Sequence, residues 1–264
     1  MSHRFLNKTA IITGASSGIG KATALAFARE GMRIVLASRH SESLASVENE
    51  ARRCASAVVS LPTDVTAREQ VSSLVAKTLE RFGSVDIVVL SAGEYIRGHI
   101  ENLKVEDFVR AMEVNFFGCL YMILSVLPIM VKQGSGHIVA VSSVDGKKGL
   151  PLDAPYVASK FALTGLMDVL RQELHGTGVH ALTVLPGRVD TPMIEHLKVP
   201  IISKKISPER VARAILGGIR RRRPEILVPA MSSWSIVLAN AVYPDLANWL
   251  VRLFRLEGIQ TDNS

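Results

Sequence analysis

Tyr156 and Lys160 stand four residues apart in PYVASKFAL, a segment with the composition of a helix. On a helix, positions i and i+4 share a face, so the Lys160 ammonium can lie beside the Tyr156 phenol. A free phenol titrates near pH 10. A unit charge about 4 Å away, at an effective dielectric of about 20, is worth roughly 4 kcal/mol, enough to bring the phenol down by up to about 3 pH units. Such a pair can pass a proton to a developing alkoxide, or take one from an alcohol. The same spacing also occurs on solvated helix faces, so the rest of the chain must decide.

A second group of residues points to a nucleotide. TGASSGIG supplies Gly14, Ser16, Ser17, Gly18, Ile19 and Gly20 between an apolar run, TAIIT, and a helical pattern, KATALAFARE. Backbone N–H groups and the helix dipole at such a turn suit a pyrophosphate, and glycines permit the tight turn and close approach. About 20 residues further on, where an NAD site carries a carboxylate for the ribose 2′-hydroxyl, the chain reads LASRH. Arg39 offers a fork of donors to a 2′-phosphate and Ser38 adds a hydroxyl, which favours NADP(H) over NAD(H).

These residues need a frame to hold them. Seven short apolar runs, TAIITG, RIVLAS, AVVSL, VDIVVLSAG, HIVAVSS, VHALTVLPG and EILVP, alternate with helical patterns. Near-continuous hydrophobicity within each run predicts parallel strands covered on both faces. The expected fold is α/β, a Rossmann-type doubly wound parallel sheet of about seven strands with its ligands beyond the carboxyl ends of the strands. Gly31, Gly83, Gly134 and Gly176 stand where helices should end. At 264 residues and 48% hydrophobic content, one domain is expected over 1–264, with a core at 5–229 and a helical extension at 230–264.

The ordered motifs resemble the short-chain dehydrogenase/reductase family, in its single-domain TGxxxGxG and YxxxK branch, over nearly all of residues 5–229. The resemblance implies that Asp64 contacts the adenine, with Val65 beside it in TDV. It places Ser91, Ala92 and Gly93 where the family has NAG, a departure at Ser91. Pro186, Gly187, Val189 and Thr191 fall in the PGxxxT segment that closes over the nicotinamide, with the Val189 backbone and the Thr191 hydroxyl offered to the carboxamide. It makes Asn115, Ser143, Tyr156 and Lys160 the catalytic set. Ser143 lies thirteen residues before Tyr156 and binds the substrate oxygen, Lys160 also holds the ribose, and Asn115 bends its helix and holds a water on a proton path. Ser142 competes with Ser143, and the spacing favours Ser143.

The activity so implied is reversible NADP(H)-linked hydride transfer between a ketone and a secondary alcohol. Met193, Ile194, Leu197 and Ile201 are expected to wall an apolar, lipid- or steroid-like substrate. A 3-oxoacyl carrier-protein reductase is the enzymatic alternative, and a catalytically inactive NADP-binding regulatory or scaffold protein the alternative of another class. A homodimer or homotetramer is implied, built on the helices containing Phe116 to Met130 and Tyr156.

Composition narrows the remainder. Cys54 and Cys119 make no disulfide framework and show no metal-ligand spacing, and both are expected to be buried. No signal peptide precedes the first strand pattern, so the expected location is the cytoplasm. Part of the net charge of +7 comes from Arg220 to Arg223, which suit a helix C-terminus. No aromatic residue interleaves them, so nucleic acid is not expected as a partner. The uncharged window Val114 to Val131 is expected in a core or subunit interface. In the extension, Trp249, Leu250, Leu253, Phe254 and Leu256 can form an apolar face flanked by Arg252 and Arg255. That face can cap the substrate entrance, meet a second subunit or touch an anionic membrane, the last not favoured.

Overall fold

The computed structural model describes residues 5–260; the expected domain also includes 1–4 and 261–264, which lie outside the described residues. In chain order the elements are β1 (Thr9–Thr13), α1 (Gly18–Arg29), β2 (Arg33–Ser38), α2 (Ser41–Ala51), β3 (Ala57–Pro62), α3 (Arg68–Phe82) and β4 (Ile87–Leu90). Then come α4 (Val105–Met112), α5 (Gly118–Gln133), β5 (Gly136–Val141), α6 (Ala154–Glu173), β6 (Val179–Pro186), β7 (Leu197–Lys198) and α7 (Pro208–Arg220). β8 (Glu225–Val228), α8 (Ala230–Val242), α9 (Pro244–Leu253) and β9 (Ile259–Gln260) complete the chain.

All seven apolar runs become strands of one parallel sheet, ordered β3-β2-β1-β4-β5-β6-β8. Alternate residues feed opposite layers: Ile12, Ile34 and Leu36 pack with Phe27, Leu44 and Ile215 of α1, α2 and α7. Ile11, Val35 and Val88 pack with Leu74, Met122 and Leu163 of α3, α5 and α6 on the other face. Two-sided cover explains why the runs lack polar alternation. The order reverses at β1, between β2 and β4, and this opens a crevice at the carboxyl ends.

Gly31, Gly83, Gly134 and Gly176 all take positive φ at or just beyond helix ends. The window Val114 to Val131 falls largely on α5, part of a helical run, Val105–Gln133, that is long and apolar enough to cross a membrane. Its Met122, Ile123, Val126 and Met130 are buried against the sheet, which accounts for its apolar character on one side. The cysteines differ from expectation. Cys119 is buried on α5, whereas Cys54 is exposed because α2 ends at Ala51 and the chain leaves the core there.

Beyond β8 the extension folds back as the hairpin of α8 and α9, then adds β9 antiparallel to β7. The arginine run ends α7 and precedes β8, so it lies at the amino end of the sheet, remote from the crevice. There Arg220 pairs with Glu30 and sits over the Phe5 ring.

Candidate active site

The chain leaves β1 through Gly14, whose φ of +63° belongs to the left-handed region. A Cβ on Gly14 would lie 2.8 Å from the Ala92 backbone, and one on Gly20 only 2.1 Å from the Gly14 carbonyl oxygen. The turn is therefore pressed between the start of α1 and the loop after β4. Ser17 caps α1 without a side-chain bond, and no acidic residue stands in the first helical turn, so the positive end of the helix faces the crevice unopposed.

From that turn a cavity of about 1030 Å³ runs along the carboxyl edge of the sheet. It is lined by Gly14, Ser16, Ser17, Gly18 and Ile19, by Ser38 and Arg39 after β2, and by Asp64 and Val65 after β3. Ser91, Ala92, Gly93, Ser143, Tyr156, Lys160, Pro186, Gly187, Val189 and Thr191 complete its middle section. Of the residues expected in the site, Gly20 and Asn115 do not line the cavity: Gly20 lies under Gly14, and Asn115 lies behind Gly93. The donor set fits a dinucleotide, with an open helix start and two serines for a pyrophosphate and an exposed Arg39 beyond β2.

Thr13 opens the TGxxxGxG motif, which assigned it no role. Its hydroxyl accepts from the Ser91 and Ala92 N–H groups at 3.0 and 3.2 Å and donates to the Val89 carbonyl at 3.4 Å. Thr13 thus braces β1 against the loop after β4 through the backbone of Ser91 and Ala92.

Asn115 lies in a π-helical turn, Glu113–Phe117, between α4 and α5, the expected local bend. Its carbonyl accepts from the Glu94 N–H at 2.8 Å; its amide donates to the Glu94 carbonyl and to the Ser159 hydroxyl, both at 2.9 Å. Fully buried, it ties the loop after β4 to α6. Of the paired serines, Ser142 is bonded to the Lys160 carbonyl and the Thr164 hydroxyl inside α6's packing. Ser143 faces the Tyr156 oxygen and donates to Asp145 at 3.2 Å, so the geometry agrees with the spacing.

Lys160 sits over the Tyr156 ring, its Nζ 5.5 Å from the centroid, and donates to the Val141 carbonyl at 3.0 Å. The electrostatics depart from expectation. The Tyr156 phenol is held above its ordinary value, first by burial and next by the Asp145 carboxyl, with the Ser143 hydrogen bond acting in the opposite direction. Lys160 does not overcome this because its ammonium points past the ring to the backbone, and burial pulls its own pKa down. Asp145 is pushed up to about 7, by burial first and then by Asp153, against the pull of Arg188.

Tyr95, Arg97, Asp145, Asp153 and Arg188 form a polar cluster around Tyr156 that no motif marked. The Tyr95 ring meets Tyr156 edge to face at 5.0 Å and 85°. Its hydroxyl donates to Asp153 Oδ1 at 2.7 Å, which also pairs with Arg97 at 3.0 Å. In sequence these residues are scattered over three loops and a helix start, and only the fold brings them together.

Apolar side chains from two segments also line the cavity: Met193, Ile194, Ile201 and Ile202 after β6, and Ile236, Leu250, Phe254 and Leu256 of the extension, with Lys204, Lys205 and Ser235 among them. Leu197, expected in this wall, instead sits buried on β7 under the strand pair with β9. The extension divides its apolar residues: Ala247 and Val251 are buried, while Trp249 and Leu253 face outward with Trp234, Leu238 and Val242. The extension therefore contributes to the cavity lining, and its outer face remains apolar.

The profile of a family described as short chain dehydrogenase matches residues 8–199. An uncharacterised oxidoreductase of Listeria monocytogenes is 41% identical over 191 residues, 72% of this chain and 77% of that protein. One from Staphylococcus aureus is 37% identical over 210 residues, 80% of this chain and 90% of that protein. Among solved structures, an alcohol dehydrogenase from the archaeon Thermococcus sibiricus, complexed with 5-hydroxy-NADP, aligns with a TM-score of 0.76 at 30% identity, covering 83% of this chain and 95% of that one. A variant of actinorhodin polyketide ketoreductase with NADPH gives 0.78 at 31% identity, covering 84% and 95%.

Proposed function

The chain belongs to the short-chain dehydrogenase family, and from that premise we propose that it is an NADP(H)-dependent oxidoreductase interconverting an apolar ketone and its secondary alcohol, with Tyr156 as acid and base. The observation that carries the proposal is the convergence, in one cavity, of Ser143, Tyr156 and Lys160 with the glycine turn and Arg39. When bound, the nicotinamide supplies or accepts the hydride. Gly14, Ser16, Ser17 and Gly18 would hold its pyrophosphate, Arg39 and Ser38 its 2′-phosphate, and Asp64 its adenine. The relatives complexed with 5-hydroxy-NADP and NADPH support the same cofactor class.

Ser143 gives its proton to the substrate oxygen in a hydrogen bond that strengthens as charge develops there. Tyr156 then delivers a proton to that oxygen, and in the reverse direction removes one from the alcohol. A phenol held high keeps its proton at neutral pH but gives it up less readily, so both directions rely on the positive charge of Lys160, and the oxidation direction needs that of an oxidised nicotinamide as well. Lys160 replaces the proton from the side of Asn115, since both lie against Gly93. The apolar part of the lining excludes water and receives the substrate's hydrocarbon. A 3-oxoacyl carrier-protein reductase would favour a basic rim for its acidic carrier; the arginine run lies away from the cavity, while Lys204, Lys205, Arg210 and Arg213 line it.

The test measures NADPH consumption on a panel of apolar ketones and acyl thioesters, with NADH alongside. Tyr156→Phe is expected to lose about 10²–10⁴ in kcat with cofactor affinity unchanged. Retained turnover in that variant would remove Tyr156 from the chemistry, and a lack of turnover by the parent chain on every member would favour the inactive scaffold.

A further inference from the structure

Two arginines fasten the end of the extension to the body. Arg188 Nη2 donates to the Leu256 and Glu257 carbonyls at 2.7 and 2.9 Å, and Arg97 Nη2 donates to the Gly258 carbonyl at 3.0 Å. At its other nitrogen, Arg97 Nη1 donates to Asp153 Oδ1 and to the Tyr95 hydroxyl, each at 3.0 Å. The Arg97 and Asp153 side chains are only 5% and 1% exposed. A guanidinium is suited to this bridging, since its planar fork makes several bonds in fixed directions at once.

A buried ion pair is a costly way to hold a segment in place, and an apolar contact of similar volume would hold it as well. Its position is more informative than its strength. Asp153 is the residue before α6, the helix that carries Tyr156 three positions later, and it shares its Oδ1 with the Tyr95 hydroxyl, whose ring packs on Tyr156. The second oxygen, Oδ2, is buried without a hydrogen-bond partner, so Arg97 is the cation nearest at hand to offset its charge. A continuous path of contacts runs from the Gly258 carbonyl through Arg97, Asp153 and Tyr95 to the Tyr156 ring.

We propose that Arg97 is a positioning residue that couples docking of the C-terminal segment to the orientation of Tyr156 and to the charge beside it. The inference rests on Tyr156 as the acid and base. With residues 256–258 in place, the guanidinium is held against Asp153 and offsets its carboxylate. With the segment released, Arg97 loses one of its anchors and the Asp153 charge stands closer to uncompensated. Tyr156 is faced by Asp145 from the turn after β5, by Asp153 from just before α6, by Lys160 from α6, by Tyr95 from the loop after β4, and by Ser143; Arg97 and Arg188 are the cations opposite the two carboxyls. Loss of a cation from this set disfavours the phenolate. Because Tyr156 must be deprotonated to accept a proton from an alcohol, the acidic limb of alcohol oxidation moves to higher pH.

The test compares the full chain with Arg97→Gln, Arg97→Lys and a chain ending at Arg255. Expected for Arg97→Gln is an acidic limb displaced upward by about one pH unit, hence about tenfold slower oxidation below it, with most of the displacement reversed in Arg97→Lys. The shortened chain should show the same displaced limb. Tryptic cleavage after Arg252 or Arg255 should be several-fold faster in Arg97→Gln, reporting a loosened segment without reference to activity. A limb unmoved in Arg97→Gln overturns the proposal, as does a shortened chain with the parent's profile; if the shortened chain does not fold, the Gln and Lys variants decide. Should the parent chain turn over no ketone or alcohol, the functional reading fails instead, and equal cleavage rates in parent and Arg97→Gln then overturn the coupling by themselves.

Discussion

Asp145 stands two residues after Ser143; its carboxyl accepts from the Ser143 hydroxyl, and its backbone N–H donates to the same hydroxyl. Burial and Asp153 keep its proton on to about pH 7, against an ordinary value of 3.8. The folded chain therefore binds more protons than the unfolded one between those values, and stability falls as pH rises across that window. Asp145→Asn removes this dependence. Its thermal midpoint should gain on the parent by several degrees between pH 4 and pH 8, and a constant difference would show a carboxyl that titrates normally. The substitution also removes a negative charge beside Tyr156, so its limb of alcohol oxidation should move to lower pH. Tyr156, Lys160, Ser143 and Arg39 were legible because each lies in a motif with fixed spacing. Asp145, Asp153, Tyr95 and Arg97 were not, since a charge network acts through space and leaves no period in the chain. For the same reason the burial and the carboxyls that act against Lys160 at the phenol leave no mark in the sequence.

At the scale of elements, the junction of β1, α1 and the loop after β4 is the least forgiving part of the fold. Gly20→Ala would drive a methyl to 2.1 Å from the Gly14 carbonyl, between backbones that cannot yield as side chains do. The expected cost is about 3 kcal/mol, a fall of roughly 6–12 °C in thermal midpoint, with dinucleotide affinity lost as the turn is displaced. Calorimetry with and without NADPH checks both parts, and a variant that melts and binds like the parent would show a looser junction than this geometry implies. The seven strands were readable because two helical layers require continuous apolar runs, and the capping glycines because left-handed φ favours them. β7 and β9 were not, since two residues each is too short to carry a period. The extension was only half legible: apolar spacing predicted an apolar face, but Leu250 and Phe254 turn to the cavity while Trp249 and Leu253 turn to solvent.

For the whole molecule, a layer of exposed apolar side chains calls for cover. Phe117 and Leu124 at α5, Phe161 and Val169 on α6, and Val105 and Val109 on α4 are each at least 39% exposed. Faces of this kind are characteristic of subunit contacts. A homo-oligomer is expected, with a solution mass twice or four times the 28.6 kDa of the chain, and Leu124→Glu combined with Phe161→Glu should yield monomers in sedimentation velocity. A parent chain that sediments as a monomer at micromolar concentration would remove the expectation. The hairpin of α8 and α9 has a separate consequence. Both tryptophans of the chain, Trp234 and Trp249, lie on it, about half exposed, while the same hairpin lines the cavity through Ile236 and Leu250. Indole emits in the region where reduced nicotinamide absorbs, so the chain carries its own optical donors beside the cleft, and filling of the cleft can be followed by their quenching without any label.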